Sequence, residues 1–204
     1  RAKMQALYAQ INPHFLFNTL NTIASLIRTN PELARQVLVK FSNLFRFTLQ
    51  YTGKIISFSQ EWEHTRGFLD IAQTRQGDKM KVVANVPSDV MTCSVPSLIL
   101  QPLIENAIKH GLLPLSQGGT ITIKATRDDH FLYLSVSDNG VGFKEVPSKY
   151  LRSIHSKDGQ HVGLKNVHDR LIGLYGPDYG LHIETAPHKG TTISLTIPQE
   201  LTHD

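Results

Sequence analysis

The hydrophobic period of this chain turns over at Gly77, and that change confines it to a helical unit followed by a mixed unit. Before Gly77 apolar residues recur about every 3.6 positions. They run through Leu7, Ile11 and Phe15, then Ile23 and Leu26, then Leu33, Val37, Leu38, Phe41, Leu44 and Phe45. Beyond Gly77 the spacing falls to two, in Met80, Val82, Ala84 and Val86, in Ile121, Ile123 and Ala125, in Leu132, Leu134 and Val136, and in Ile193, Leu195 and Ile197. Alternation of that kind marks half-buried strands. Two helical patterns interrupt the strands, from about Val95 to His110 and from Gly163 to Tyr175.

The punctuation agrees with this reading. Asn30-Pro31 is an N-cap followed by proline at the first helical position, the next stripe ends before Gly53, and a third helix begins near Ser59 with Glu61 and Glu63 in its first turn. The expectation is an α+β chain divided into a helical domain over residues 1–76 and a sheet-containing domain over residues 77–204. Wide apolar stripes on two long helices cannot be buried within one hairpin, so the helical unit is expected to dimerise as a four-helix bundle. The segment between Phe143 and Val162 has little periodicity, and its length suits a lid.

Composition excludes several classes of function. The single Cys93 leaves no internal disulfide and no cysteine-rich zinc site, as in a reducing compartment. The basic excess, 21 Lys and Arg against 17 Asp and Glu, is scattered without aromatic interleaving, so direct nucleic-acid binding is not expected. No stretch approaches the roughly 18 apolar residues of a membrane span. The chain opens Arg1-Ala2-Lys3 without a signal peptide or initiator Met and reads as a piece of something longer.

Four segments carry chemistry. In Gln10-Ile11-Asn12-Pro13-His14-Phe15-Leu16-Phe17-Asn18, helical spacing places His14, Asn18 and Asn21 on one stripe, and Pro13 removes a backbone donor just before the histidine. An imidazole whose ring is oriented by Asn18 suits a nucleophile, because about half of it is neutral near its ordinary pKa of about 6.5. A hydrogen-bonded interface histidine reads equally from this segment. In Leu100-Gln101-Pro102-Leu103-Ile104-Glu105-Asn106-Ala107-Ile108-Lys109-His110-Gly111, α-helical geometry puts Glu105, Asn106, Lys109 and His110 on one face, opposite Leu103, Ile104 and Ala107. An acid, an amide, an ammonium and an imidazole suit a hydrated Mg²⁺ and a polyphosphate; the alternative is a solvated face.

Asp138 continues the inward alternation of Leu132, Leu134 and Val136, and an inward carboxylate needs a partner. An adenine amino group would supply one, with Gly140 and Gly142 letting the backbone turn beside the ligand; the alternative is a capped turn at Asn139-Gly140. Gly163 opens a helix that runs through Asn166 to Arg170 and beyond, and free N–H groups at such a start attract phosphate.

In this order the segments resemble the sensor histidine kinases of two-component signalling, in the LytS-like branch. Residues 100–111 resemble that family's N box, residues 138–142 its first glycine box, residues 163–170 its second, and Gly190-Thr191-Thr192 its closing Gly-Thr segment. The resemblance implies a helical-hairpin dimerisation domain followed by an α/β sandwich of the GHKL, or Bergerat, type. It implies that His14 is the phosphoacceptor, that Asn106 holds Mg²⁺, and that Asp138 holds the adenine of ATP. Gly140, Gly142 and Gly163 would shape the nucleotide loop, with Lys109 and Asn166 toward the phosphates. It further implies a homodimer that passes phosphate to the aspartate of a response regulator, of the LytTR type, and a cytoplasmic portion of a bacterial inner- or plasma-membrane protein, attached through an N-terminal sensor region.

Three positions depart from the pattern. Phe15 stands where most such kinases carry an acid after the phosphoacceptor, which leaves Glu105 as the expected base. Pro102 stands where gyrase-like and Hsp90-like relatives carry a water-activating glutamate, which disfavours simple ATP hydrolysis. His161 replaces an additional glycine two residues before Gly163. The competing expectations are a nucleotide-binding dimeric scaffold, motivated by Phe15 and His161, and a GHKL-type ATPase.

Overall fold

The computed structural model describes residues 13–143 and 162–199. Two long helices, α1 (Pro13–Thr29) and α2 (Pro31–Tyr51), form a hairpin. Its turn is the one the sequence announces, with Asn30 Oδ1 accepting the Leu33 N–H at 3.1 Å and Pro31 opening α2. Periodicity before Pro13 lies outside the described residues. A short strand, β1 (Ile55–Ser57), leads into α3 (Phe58–Gln76). The cap of α3 is Ser57 rather than Ser59, because Ser57 and Gln60 close a reciprocal capping box.

The hairpin and α3 share an aromatic seam. The Phe15 ring lies 4.8 Å from Phe68 and 6.4 Å from Phe41, and Phe47 stacks on His64 at 4.4 Å. Phe58 and Phe68 are almost fully buried, each worth about 1.5–3 kcal/mol of burial. Trp62 is buried beside Phe58.

The remaining strands are β2 (Met80–Asn85), β3 (Ser94–Pro96), β4 (Gly119–Arg127), β5 (Phe131–Asp138), β6 (His182–Ala186) and β7 (Gly190–Pro198). Five of them form a sheet in the order β2-β4-β5-β7-β6, with β2 parallel to β4 and the other pairs antiparallel. β1 and β3 make a separate antiparallel pair. The helix expected from Val95 starts later, because Val95 belongs to β3; α4 spans Leu100–Asn106. The other interrupting helix, α5 (Val162–Tyr175), contacts α4.

Alternation decides which face is covered. Ile121, Ile123 and Ala125, then Leu132, Leu134 and Val136, then Ile193, Leu195 and Ile197 are all buried. In register, Leu134 faces Leu195, Val136 faces Ile193, and Asp138 faces both Ile121 and Thr191. Asp138 therefore ends an otherwise apolar inward row. The other face presents Thr122, Ser135, Ser137, Thr192 and Ser194, all partly exposed.

Candidate functional site

The structure brings the N-box segment and the first glycine box into direct contact. After Asn106 the helix widens to a π-helix over Ala107–Leu112. Such widening is uncommon and recurs at functional sites. Asn106, the last residue of α4, is 9% exposed, while Lys109 in the π-helix is exposed and His110 intermediate. The four polar residues thus do not share one solvated arc. The extra residue per turn carries Gly111 onto the end of β5.

Gly111 meets Asp138 and Gly140 there. A Cβ at Gly111 would lie 2.4 Å from Asp138 Oδ1, and one at Gly140 would lie 2.3 Å from the Gly111 carbonyl oxygen. Val141 N–H donates to that carbonyl at 3.3 Å. Gly142 has φ +60°, and a Cβ there would overlap the Ala186 carbonyl oxygen, so this corner is closed to any side chain. Asn139 pins it from the outside, its Oδ1 accepting the Thr120 N–H at 2.7 Å.

Asp138 is 7% exposed. Its Oδ1 accepts the Gly140 N–H at 2.9 Å, so the capped-turn alternative is realised, but within the core and not at the surface. Burial is the main influence on the carboxyl and pushes its pKa above the usual aspartate range, with N–H donation from Gly140 and Thr191 acting the other way. Two backbone donors leave a carboxylate further acceptor capacity. An amino group fits that need, and the close backbone approach at Gly111 and Gly140 keeps any side chain of the chain itself from meeting it. These residues fit an adenine nucleotide.

Gly111→Ala is expected to lower nucleotide affinity at least tenfold and to cost about 1–3 kcal/mol of stability, because the methyl group displaces the Asp138 carboxylate. Titration with a fluorescent ATP analogue and a thermal melt read the two effects. Gly111 was not among the residues singled out from sequence as part of a site. The close approach that demands glycine is made to a residue 27 positions away.

The other expected site residues are placed as follows. Glu105 is intermediate in exposure and accepts a hydrogen bond at 2.8 Å from Gln101, which itself meets His64 of α3 at 2.8 Å. Arg75 also faces Glu105 electrostatically. Gly163, at the start of α5, is exposed and sits against Pro102 of α4. Asn166 is exposed on the same helix. Asn18 is half-buried on α1, and its carbonyl accepts from Thr22 at 2.9 Å. His14 lies in the first turn of α1, but its side chain is outside the described residues, as are the lid segment and His161. Among the described residues no three His, Cys, Asp or Glu are grouped to hold a metal.

Glu61 shows no signal of a site in the sequence, where it reads as first-turn acid. It is fully buried and accepts three consecutive backbone N–H groups, from Leu98 at 2.7 Å, Ile99 at 2.9 Å and Leu100 at 3.0 Å.

Comparison with known families agrees with this geometry. Residues 2–80 match the family model described as histidine kinase, and residues 95–201 match that of the histidine kinase-, DNA gyrase B- and HSP90-like ATPases. The chain belongs to this ATPase family. With the histidine kinase region in front, its two regions match the kinase portion of sensor histidine kinases of the LytS, YpdA and BtsS kind. It is 37% identical over 202 residues to the sensor protein LytS of Bacillus subtilis, covering 98% of this chain and 34% of that protein. It is 37% identical over 205 residues to the sensor histidine kinase YpdA of Escherichia coli, covering 99% of this chain and 35% of that protein. The chain thus spans about a third of the length of these relatives. Among solved structures, the histidine kinase domain of a blue-light activated histidine kinase from Erythrobacter litoralis superposes with a TM-score of 0.56 at 19% identity, over 88% of this chain and 87% of that one, a likeness of fold.

Proposed function

We propose that this chain binds ATP with Mg²⁺, phosphorylates its own His14, and passes the phosphoryl group to an aspartate of a response regulator. The observation that carries the reading is the buried Asp138 carboxylate at the end of an apolar row, set against Gly111 and bonded to the Gly140 N–H. Asp138 would accept from the adenine amino group. Gly163 and Asn166 at the start of α5, with Lys109 on the π-helix, would line the phosphate side, and Asn106 would be the protein ligand of Mg²⁺. One amide ligand suits an ion that keeps most of its shell as water and phosphate oxygens.

In the transfer, a neutral ring nitrogen of His14 attacks the γ-phosphorus in line. A nitrogen–phosphorus bond forms, the bond to the bridging oxygen breaks, and ADP leaves. Phe15 packs against Phe68 and Phe41, so the residue after the acceptor serves as an anchor. Glu105, whose carboxylate accepts from Gln101, would take the ring proton. Asn18 lies one turn beyond His14 and would orient its ring.

The functional unit is a homodimer. Phe17, Leu20 and Ile27 on α1, and Leu38, Phe45 and Leu49 on α2, are 37–64% exposed at spacings of three, four and seven, an apolar stripe on each helix. Division of labour between a helical acceptor domain over 1–76 and an ATP-binding domain over 77–204 belongs to the same reading. Among the described residues no helix is long and apolar enough to cross a membrane, and attachment to a bacterial membrane would come through the sensor portion of the whole protein. The regulator would be of the LytTR type, as the LytS likeness suggests. Replacing Ile27 and Leu38 together by Glu is expected to convert the dimer to a helical monomer in sedimentation velocity. Label from γ-labelled ATP appearing on His14, with ATP held by Asp138, tests the reading as a whole.

A further inference from the structure

The amino end of α4 has no cap of its own: its N-cap residue, Ile99, supplies no side-chain bond, and Leu98 just before it sits at φ +58°, a conformation that disfavours a branched residue. The donors exposed there by helix geometry are instead met by a carboxylate from another element, Glu61 of α3. A negative charge at a helix start is favourable in its own right. Ser97, fully buried next to this turn, is tied to the end of α2 by a 2.6 Å hydrogen bond to the Tyr51 carbonyl.

A second helix carries a charge that acts on the same carboxylate. Arg170 on α5 faces Glu61 electrostatically, and its Nε is buried without a hydrogen-bond partner. A buried guanidinium N–H without a bond is favoured by nearby negative charge. Glu61 therefore ties α3 of the helical region to the start of the helix that carries Asn106, and its charge acts on Arg170 of the helix that carries Gly163.

We infer that Glu61 is a positioning residue for nucleotide binding: it holds the start of α4 and draws Arg170, so that α4 and α5 keep the spacing the nucleotide requires. The inference rests on the ATP reading of the site. Glu61 touches no part of the proposed substrate and acts only through the placement of these helices. A helix start displaced at residues 98–100 moves Asn106, and a released Arg170 frees the helix that begins at Gly163.

The test uses the 204-residue chain, its Glu61→Gln and Arg170→Met variants and the double variant, with a fluorescent ATP analogue for affinity, label on His14 for turnover, and a thermal melt. Glutamine keeps the shape but presents an amide donor toward a backbone donor and removes the charge that Arg170 faces. Each single change is expected to raise Kd and KM for ATP about tenfold, while label at saturating ATP falls less than about threefold. The double variant is expected to lose clearly less than the product of the single losses, since the two charges act as a pair. A purely structural role would lower the melting temperature while leaving Kd of the folded protein and the KM-to-kcat split unchanged, and that result overturns the inference. Multiplicative losses in the double variant also overturn it. If Glu61→Gln does not fold, Arg170→Met decides alone, and unchanged affinity sinks the proposal. A parent chain that binds no ATP analogue overturns the nucleotide reading and the inference with it; normal binding by parent and variants alike overturns the inference only.

Discussion

Replacing Asp138 by asparagine is expected to weaken ATP binding by at least a hundredfold while raising the melting temperature of the ligand-free protein. The two effects have one cause. The carboxylate ends an apolar row, is held by backbone N–H groups of Gly140 and Thr191, and has its pKa pushed up by burial. A charged hydrogen bond to a ligand amino group is worth about 1.5–3 kcal/mol, and an amide that turns its own donor toward that amino group forfeits more. Without ligand the same charge is under-compensated, so neutralising it relieves the folded state. Titration with the fluorescent analogue and a melt on the same sample read both. Unchanged affinity in the variant would remove Asp138 from the site.

The pH dependence follows with opposite signs for binding and stability. Binding needs the ionised carboxylate, so ATP affinity is expected to weaken on acidification from neutral pH, starting above the ordinary aspartate value of 3.8. For the ligand-free protein, the folded chain holds this proton more tightly than the unfolded chain. The group therefore subtracts from stability above its raised pKa, and the penalty fades as pH falls through that value toward 3.8. Isothermal titration and melts across that range separate the two, and Asp138→Asn is expected to flatten both.

Replacing His14 by glutamine is expected to abolish label from γ-labelled ATP on the protein, leaving nucleotide binding in place. The label on the parent chain is expected to be lost in acid and to survive alkali, as a phosphoramidate does. His14 lies in the first turn of α1 beside Phe15, whose ring is 4.8 Å from Phe68, so packing of the neighbour anchors this turn and the substitution is expected to leave it in place. Persistent label in the variant would move the acceptor elsewhere. ATP binding by a parent chain that takes no label would favour the scaffold alternative, and sustained release of free phosphate independent of His14 would favour the ATPase.

Much of the fold was legible because its signals are local. The turn at Asn30-Pro31, the inward strand residues and the inward direction of Asp138 all follow from side-chain period and cap chemistry, which act over a few residues. The strands β1, β3 and β6 were not legible: two are three residues long, and β6 carries the polar His182 and Glu184, so alternation has too little to register. The segment 107–112 was misread as a continuation of an α-helix, since period alone does not distinguish α from π over six residues. Asn106, the last residue before that segment, is buried, which the solvated-face alternative does not anticipate.

The amino-acid sequence by itself determined the helical-then-mixed organisation, the order of the four chemical segments and the family they resemble, since all of these are written as spacing along the chain. Only the tertiary structure decided that Gly111 lies against Asp138 and that Glu61 caps a helix beginning 39 residues later. Such contacts depend on a close approach between backbones and on the satisfaction of buried donors. They become determinate only when distant segments share one core, because the free energy of a buried charge is set by whatever surrounds it.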